Sequence, residues 1–452
     1  VERLSGVSRL LAVGDVQSNY QPLMALLGAQ GIATVHDGVP VWTGGDATLL
    51  FLGDLLDGGP QPAEVLWLVM RLHEQAPVAG GRVVLVQGNH ELMLLEMAAA
   101  DDEALAPALG RWFANGGLET LLRLAAAAGM AVPDRLVAQM FTATLGDPEA
   151  DPEVQELARA VRAEYASELA FVRERARPAV VVNGSLLAVH AGPNLEADGL
   201  ETLVRDARDE ATLAWSRSWL QGWTPGGSEG PFIERLVGLK RRLDDPAQGF
   251  ALRLLLFAHS QLVPFAVPGL RDKQFRVGRL AGPDLGPGVP AVYCLLTVPR
   301  AAPKGGALGG LRIDGDGVTA VYGAEIAAEG RVWPSSERLD GPDRAFLRQP
   351  EAPQPLAIAC TLTPAELASR RDGLLPGLLI RARERCAVPG GFRWRFEPAT
   401  GLLAEAVAVV DAERRCCRFL RFQLTVEPDD GPVWLEVSGP EGTQEFLATL
   451  LA

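Results

Sequence analysis

Three times in its N-terminal part the chain runs through a short apolar stretch into glycine and then an acid or amide: RLLAVGD (9–15), TLLFLGD (48–54) and RVVLVQGN (82–89). Unbroken apolar runs of this length suit strands buried on both faces. Between them, residues 62–75 place Val65, Leu66, Leu68, Val69 and Leu72 at helical spacing. Strand, polar loop and helix in repetition predict an α/β fold. In such sheets ligands gather beyond the carboxyl ends of the strands, which is where Asp15, Asp54 and Asn89 fall.

Residues 91–178 carry no clear strand and are rich in Ala, Leu, Arg and Glu. They read as a mostly helical insertion with breaks near Pro133 and Asp147. The strand pattern returns at AVVVNGSLLAVHAG (179–192), LRLLLFAHS (252–260) and AVYCLLTV (291–298), and GLRIDGDGVTAVYG (310–323) reads as a hairpin turning at residues 314–317. Its acidic pair is turn chemistry rather than a calcium loop. A first domain therefore spans 1–340, a linker rich in proline and charge spans 341–356, and a small α+β domain fills 357–452. Within that last domain the pattern predicts a strand at 356–361, a helix through 364–385, and a strand at 392–396. A helix at 402–417, strands at 419–426 and 432–437, and a helix from 441 follow.

The chain has 452 residues, enough for two or three domains, with 48% apolar and 22% charged residues, a globular profile. A net charge of −14 argues against a nucleic-acid polymer as partner, because no global positive field would attract it. No apolar run is long enough to cross a bilayer, and VERLSGVSRL lacks the order of a signal peptide. Five cysteines in so long a chain do not make a disulfide framework. These features point to a reduced, cytoplasmic protein with no membrane partner. Four of the cysteines, Cys360, Cys386, Cys416 and Cys417, lie in the small domain; buried reduced thiols are the favoured reading, with Cys417 on the core stripe of Leu403, Ala406 and Val410. A soft-metal site is the alternative, but no CxxC spacing supports it.

A glycine–aspartate pair alone is ordinary turn chemistry. The ordered set GDVQSN (14–19), GDLLDGGP (53–60), GNHE (88–91), VHAG (189–192) and AHS (258–260) is not, since each block follows an apolar strand. Of the five histidines, His90, His190 and His259 share this context, whereas His36 and His73 lack it and read as structural. Asp and Asn oxygens suit Mg2+ or Mn2+, and imidazole favours Mn, Fe or Zn. A mixed set around one carboxylate suits a two-metal centre, with ions about 3.5–4 Å apart that activate water and clamp the oxygens of an in-line displacement at phosphorus.

These blocks resemble the calcineurin-like metallophosphoesterases, and in particular their phosphoprotein phosphatase branch. VWTGGDATLLFLGDLLDGGP and LVMRLHEQAPVAGGRVVLVQGNHELM are similar to the bacterial Shewanella-like protein phosphatases, and RWFANGGLETL (111–121) is similar to a segment of bacterial relatives that include symmetrical dinucleoside tetraphosphatases. The resemblance covers roughly residues 8–325 and implies a four-layer αββα sandwich, the helical insertion capping its active site. It also implies two divalent cations, Mn2+ first and Mg2+, Fe or Zn as alternatives. Asp15 and Gln17 would hold the first, Asp54 would bridge both, and Asn89, His190 and His259 would hold the second. His90 would act as general acid oriented by Asp57, with Asn89 and Arg217 binding substrate phosphate; a surface helix Arg is the alternative for Arg217. Asn115-Gly116-Gly117 is either a pocket loop or a helix stop.

Two positions depart from the family pattern. Gln17 stands where the family usually has His, and Gly58 where it has a phosphate-binding Arg. A neutral amide oxygen is a weaker donor than imidazole, which retunes the site toward hard ions or loosens the first cation. A lost guanidinium clamp removes charge-assisted hydrogen bonds of about 1.5–3 kcal/mol each. The expected activity is hydrolysis of phosphate esters by metal-activated hydroxide, with a phosphoprotein or other phosphomonoester as leading substrate. A nucleotide or dinucleoside polyphosphate comes second, and a phosphate-binding pseudo-enzyme is the rival of another class.

Overall fold

The computed structural model describes residues 1–139, 147–205, 207–221, 223–224, 227–228, 230–259, 278–295, 297–298, 307–315, 317–326, 331–338, 375–417, 419–429, 431–440 and 442–450. The chain divides into two compact units, Val1–Pro350 and Glu351–Ala452. The expected linker at 341–356 and the strand at 356–361 lie outside the described residues.

The first unit is built on two sheets. In the first, Leu10–Val13, Thr48–Phe51 and Arg82–Val86 run parallel, and the hairpin Ala307–Asp314/Gly317–Ile326 extends it on the Leu10–Val13 side. In the second, the order is Glu2–Leu4, Ala179–Val182, Leu186–Val189, Leu254–Phe257, Ala291–Cys294, Gly278–Ala281. Side chains alternate across each strand, and this sorts the apolar residues into three layers. Leu10, Ala12, Leu50, Leu52, Val84 and Val86 face Val180, Val182, Leu186, Ala188, Leu254 and Leu256 between the sheets. Leu11, Val13, Leu49, Phe51, Val83 and Leu85 instead meet the helices Tyr20–Ala29 and Pro62–Gln75 through Leu23, Leu26, Leu27, Val65, Val69 and Leu72. On the far side, Val181, Leu187, Val189, Leu255 and Phe257 pack against Leu213, Phe232, Leu236 and Leu239 of the helices Ala207–Trp215 and Gly230–Leu243. The result is a four-layer αββα sandwich, with both faces of the central strands dry. That is why the strand sequences carry no polar alternation.

The insertion is helical: Asn89–Ala99, Leu105–Phe113, Gly117–Ala127, Asp134–Gln139, Pro152–Glu164 and Ala166–Arg175. Leu109, Trp112, Leu121, Val154 and Val161 share one apolar cluster with the sheet, so the insertion is part of the core rather than a flap. One feature of it is extended. Ala176–Arg177 adds a short parallel strand beside Arg82–Val86, where the sequence predicts none; two residues are too few for a periodic signal. The apolar block 179–192 is two antiparallel strands turning at Asn183-Gly184. No helix among the described residues is long and apolar enough to cross a membrane.

The second unit carries a four-stranded antiparallel sheet ordered Glu384–Val388, Gly391–Phe396, Val433–Ser438, Arg421–Val426. It also carries the helices Leu375–Leu379, Leu402–Cys416 and Thr443–Leu450. The helix expected through 385 gives way to strand at Glu384, because ERCAV pairs in register with the strand starting at Gly391. Cys417 is buried as expected, but its stripe is Leu402, Ala406 and Val409, while Leu403 is exposed. Cys386 is only half-buried, its thiol donating to Glu384 at 3.4 Å. Cys360 lies outside the described residues.

Candidate metal centre

The three N-terminal strands end at one level and deliver their loops to one place. Tight backbone approach makes this possible. A Cβ on Gly14 would lie 2.3 Å from the Leu295 carbonyl oxygen, and one on Gly88 would lie 2.2 Å from Asp54 Oδ1. Asp54 itself sits in the left-handed region, with φ 51°, a conformation an aspartate adopts only when its surroundings hold it there. They do. The buried Glu91 carboxylate accepts from the backbone N–H groups of Asp54 at 2.8 Å, Leu55 at 2.7 Å and Gly88 at 2.9 Å. One side chain thus ties the second loop to the third.

The second sheet contributes His190 and His259, and their geometry tests whether a cation fits. His190 Nδ1 lies 2.6 Å from the Leu52 carbonyl oxygen and must donate to it. Its Nε2 then presents a lone pair, yet it faces Asn89 Oδ1 at 3.0 Å, His259 Nδ1 at 3.1 Å and Asp54 Oδ2 at 3.2 Å. Asn89 Oδ1 and the carboxylate oxygen can only accept. A proton on Nε2 serves one such neighbour at a time, whereas a divalent cation serves all of them. Within this group, donor atoms of Asp54, His190 and His259 all lie within 4.8 Å of one another. The donor set fits a divalent cation.

The first-loop residues lie beside this cluster. Asp15 Oδ1 accepts from the His259 backbone N–H at 3.1 Å and lies 3.9 Å from His190 Nδ1. Burial and then the Asp54 carboxylate push its pKa up to about 7. Burial opposes charge on His190, but Asp54 overrides it and pushes the ring up to about 9. Burial and the charge on His190 push His259 down to about 3. Two packed acids and two packed imidazoles therefore compete for protons in a dry site, a conflict that added positive charge relieves. Gln17 has φ 48°, donates its backbone N–H to the Asp54 carbonyl at 2.8 Å, and keeps Oε1 buried with no hydrogen-bond partner. A desolvated, unpaired acceptor on a residue whose backbone bonds Asp54 is the second observation that fits a cation.

His90 opens the helix Asn89–Ala99. Its Nδ1 meets Asp57 Oδ2 at 2.6 Å, so Nδ1 carries the proton toward Asp57 and Nε2 is the working nitrogen, 3.8 Å from Asp54 Oδ2. Burial works against charge here too, but Asp54 and then Asp57 outweigh it and push His90 up to about 10. Trp112 donates its indole N–H to the same Asp57 oxygen at 2.9 Å. Asp57 lies at φ 67°. Arg217 is at the rim, its guanidinium donating to the His259 carbonyl at 3.1 Å. The structure thus brings together Asp15, Asp54, Asn89, His190 and His259, sets His90 and Asp57 beside them, and joins Gln17 and Arg217 through backbone contacts. Sequence reasoning missed Glu91 and Trp112. Both stood in quoted motifs, and nothing in local sequence tells a buried helix acid or indole which distant loop it bonds.

Residues 8–259, more than half of the chain, match the model of the calcineurin-like phosphoesterases. The chain belongs to the calcineurin-like phosphoesterase family. A 94-residue stretch is 33% identical to Shewanella-like protein phosphatase 2 of Arabidopsis thaliana, covering 21% of this chain and 23% of that protein. A 78-residue stretch is 38% identical to the asymmetrical bis(5'-nucleosyl)-tetraphosphatase of Bacillus velezensis, covering 17% of this chain and 28% of that protein. The chain thus spans only a quarter or so of the curated relatives it matches. Among solved structures, the cold-active protein-tyrosine phosphatase of a psychrophilic Shewanella matches with TM-score 0.37 at 19% identity, over 74% of this chain and 82% of that one. A metallophosphoesterase from Sphaerobacter thermophilus matches with TM-score 0.29 at 15% identity, over 74% and 89%. Family membership implies divalent metal ions, and the cluster around Asp54 is a candidate place for them. Against the family pattern, position 58 adopts φ 75°, a conformation glycine takes without strain and an arginine does not.

Proposed function

We propose that this calcineurin-like phosphoesterase is a divalent-metal-dependent phosphomonoesterase of phosphoprotein phosphatase type, with two cations held by Asp15, Gln17, Asp54, Asn89, His190 and His259. The observation that carries this reading is the face-to-face set of acceptors around His190 Nε2, at 3.0–3.2 Å from Asn89, His259 and Asp54. When bound, divalent cations would bring the pKa of water toward neutrality and polarise the phosphoryl oxygens. Mn2+ is the first expectation for this mixed oxygen and nitrogen set, with Mg2+, Fe and Zn as alternatives.

The protein's own residues supply the rest. Asn89 turns its oxygen to His190, which leaves its amide N–H groups for a phosphate oxygen. Arg217 places a guanidinium at the rim, where it supplements the clamp that Gly58 does not provide. His90 delivers a proton from Nε2 to the departing ester oxygen, and Asp57 fixes the tautomer and stabilises the charged ring. Trp112 donates to the Asp57 oxygen and so limits how that carboxylate turns.

The stretch shared with a dinucleoside tetraphosphatase supports a second reading, hydrolysis of a nucleotide polyphosphate at the same centre. The deciding experiment measures metal content and turnover of nitrophenyl phosphate, phosphopeptides and diadenosine tetraphosphate. Stoichiometric metal with turnover lost in His90→Ala supports the enzyme. Normal metal binding with no turnover of any of these would mean a phosphate-binding module instead.

A further inference from the structure

The sheet of the second unit ends on one side in the strand Arg421–Val426, which among the described residues pairs with Val433–Ser438 alone. Its register is unbroken, and it holds neither a bulge nor a proline, two of the devices by which natural sheets blunt an edge. The ladder shows which backbone groups stay open. One residue past the Val426–Val433 pair, the Glu427 N–H donates to the Pro432 carbonyl at 3.2 Å. Antiparallel pairing alternates residue by residue, so Arg421, Gln423, Thr425 and Glu427 turn their backbone groups toward the neighbouring strand. Phe422, Leu424 and Val426 turn theirs outward. The apolar layer under the sheet also runs on to this edge. Val433, Leu435 and Val437 of the neighbouring strand are buried, Phe422 and Leu424 are half-buried against the same core, and Val426 is 53% exposed.

This edge is complementary to itself. A two-fold axis through Leu424, perpendicular to the sheet, sets Phe422 opposite Val426 of a second copy, Gln423 opposite Thr425 and Arg421 opposite Glu427. Every outward residue then meets another outward residue, and each such pair exchanges two N–H···O bonds. Phe422, Leu424 and Val426 share the core face, where an aromatic side chain opposite a β-branched one is favourable. Arg421 and Glu427 are exposed and meet at the positions where opposed side chains come closest. Other registers fit worse. With the axis at Gln423, Val426 faces Leu420, whose N–H already donates to the Cys417 carbonyl at 3.0 Å, and Glu427 faces the buried Phe419. With it at Thr425, Phe422 faces Pro428, which has no N–H. The opposite edge, Glu384–Val388, lacks this match: an axis through Cys386 sets Glu384 against Val388 and Arg385 against Ala387. A contact between the two unlike edges would not close on itself.

We infer that Arg421–Val426 is an interface between two copies of this chain, paired antiparallel about Leu424 so that their small sheets join into one. The second copy takes up the outward N–H and C=O groups, extends the apolar layer, and supplies the opposite charge to Arg421 and Glu427 at both ends of the contact. A strand this short buries little surface, at the low end of specific interfaces. The dimer is therefore reversible, with a dissociation constant on the order of micromolar.

The test follows the full chain, kept reduced, by sedimentation velocity over concentrations that bracket the micromolar range. A monomer–dimer equilibrium is expected. Arg421→Glu and Glu427→Arg each set like charges opposite one another at both ends of the contact, and each should raise the dissociation constant about tenfold. The double variant Arg421→Glu/Glu427→Arg restores opposite charges and should return the constant close to that of the unaltered chain. Leu424→Pro removes an outward N–H while leaving the bonds to Val433–Ser438 in place, and should give a monomer; circular dichroism checks that it folds, and the exposed charge variants carry the test if it does not. A chain that stays monomeric at every concentration would overturn the pairing. So would a dimer that neither single charge variant weakens, or one that the double variant fails to restore.

Discussion

Replacing Glu91 by glutamine separates a positioning role from a mere packing role with a change of one atom. Its Oε2 accepts from Asp54 and Gly88, and its Oε1 accepts from Leu55. Burial, then Asp54, raise its pKa, while the three N–H donors favour the carboxylate. In Glu91→Gln the carbonyl can keep two of these bonds, while the new NH2 faces the Leu55 N–H, donor against donor. Leaving one buried donor unpaired costs about 1–3 kcal/mol, roughly a 5- to 150-fold loss of protection against hydrogen exchange at that amide. Because the lost bond is at Leu55, directly after Asp54, the turn that holds Asp54 at φ 51° is loosened, and Mn2+ affinity should also fall about 10–100-fold, as happens when the groups that orient metal ligands are altered. Exchange followed by mass spectrometry over peptides covering 48–60 and 84–95, with Mn2+ titration calorimetry, reads both effects. Unchanged exchange and unchanged affinity would show that Glu91 is protonated or incidental, and the account of how Asp54 is held would fail.

Other substitutions probe neighbouring parts of the centre. Trp112→Phe keeps an aromatic ring, though a smaller one, and removes the N–H bonded to Asp57; kcat should drop several-fold on an alkyl phosphate, which needs its leaving oxygen protonated, and less on nitrophenyl phosphate, and equal drops would assign Trp112 to packing alone. Gln17→His should shift metal preference toward Zn or Fe, and φ 48° is no obstacle, since histidine tolerates the left-handed region better than most residues; preference and affinity that do not move would remove residue 17 from the ligand set. Gly58→Arg brings two opposed terms that are read separately. A restored clamp would lower KM for nitrophenyl phosphate about tenfold, while φ 75° costs about 1–2 kcal/mol of stability; a lower melting temperature with unchanged KM would show that the side chain does not face the phosphate.

What the sequence made legible is local in origin. Strands buried on both faces print as continuous apolar runs, so Leu10–Val13, Thr48–Phe51 and Arg82–Val86 could be placed from composition alone. The loops after them necessarily fall at one sheet edge, which brought Asp15, Asp54 and Asn89 into view. The misses have the opposite character. Ala176–Arg177 is strand because Arg82–Val86 lies next to it, and Glu384–Val388 is strand because its partner begins at Gly391. A helix-forming composition lost in both places to hydrogen bonds with distant chain, a tertiary override of propensity. Trp112 bonds Asp57 across 55 positions, and Glu91 holds Asp54 across 37. No periodicity encodes such a pairing.

Backbone strain marks the centre in a way that neither motif nor burial does. Among the described residues, eight that are not glycine have positive φ, and five of them are Gln17, Ser18, Asp54, Asp57 and His259. Each costs about 1–3 kcal/mol unless its surroundings compensate. Here the compensation is visible: Glu91 on the Asp54 amide, Trp112 and His90 on the Asp57 carboxylate, and Asp15 on the His259 amide. A fold that needed only turns at these places would use glycine, and the neighbouring Gly53, Gly58 and Gly59 show that glycine is at hand. The chain instead places side chains bearing oxygen and nitrogen on strained backbone and devotes buried partners to keeping them there. That arrangement serves a ligand with fixed geometry, and it accounts for why loosening Glu91, which touches no proposed ligand's side chain through the bonds described, should be felt as lost metal affinity.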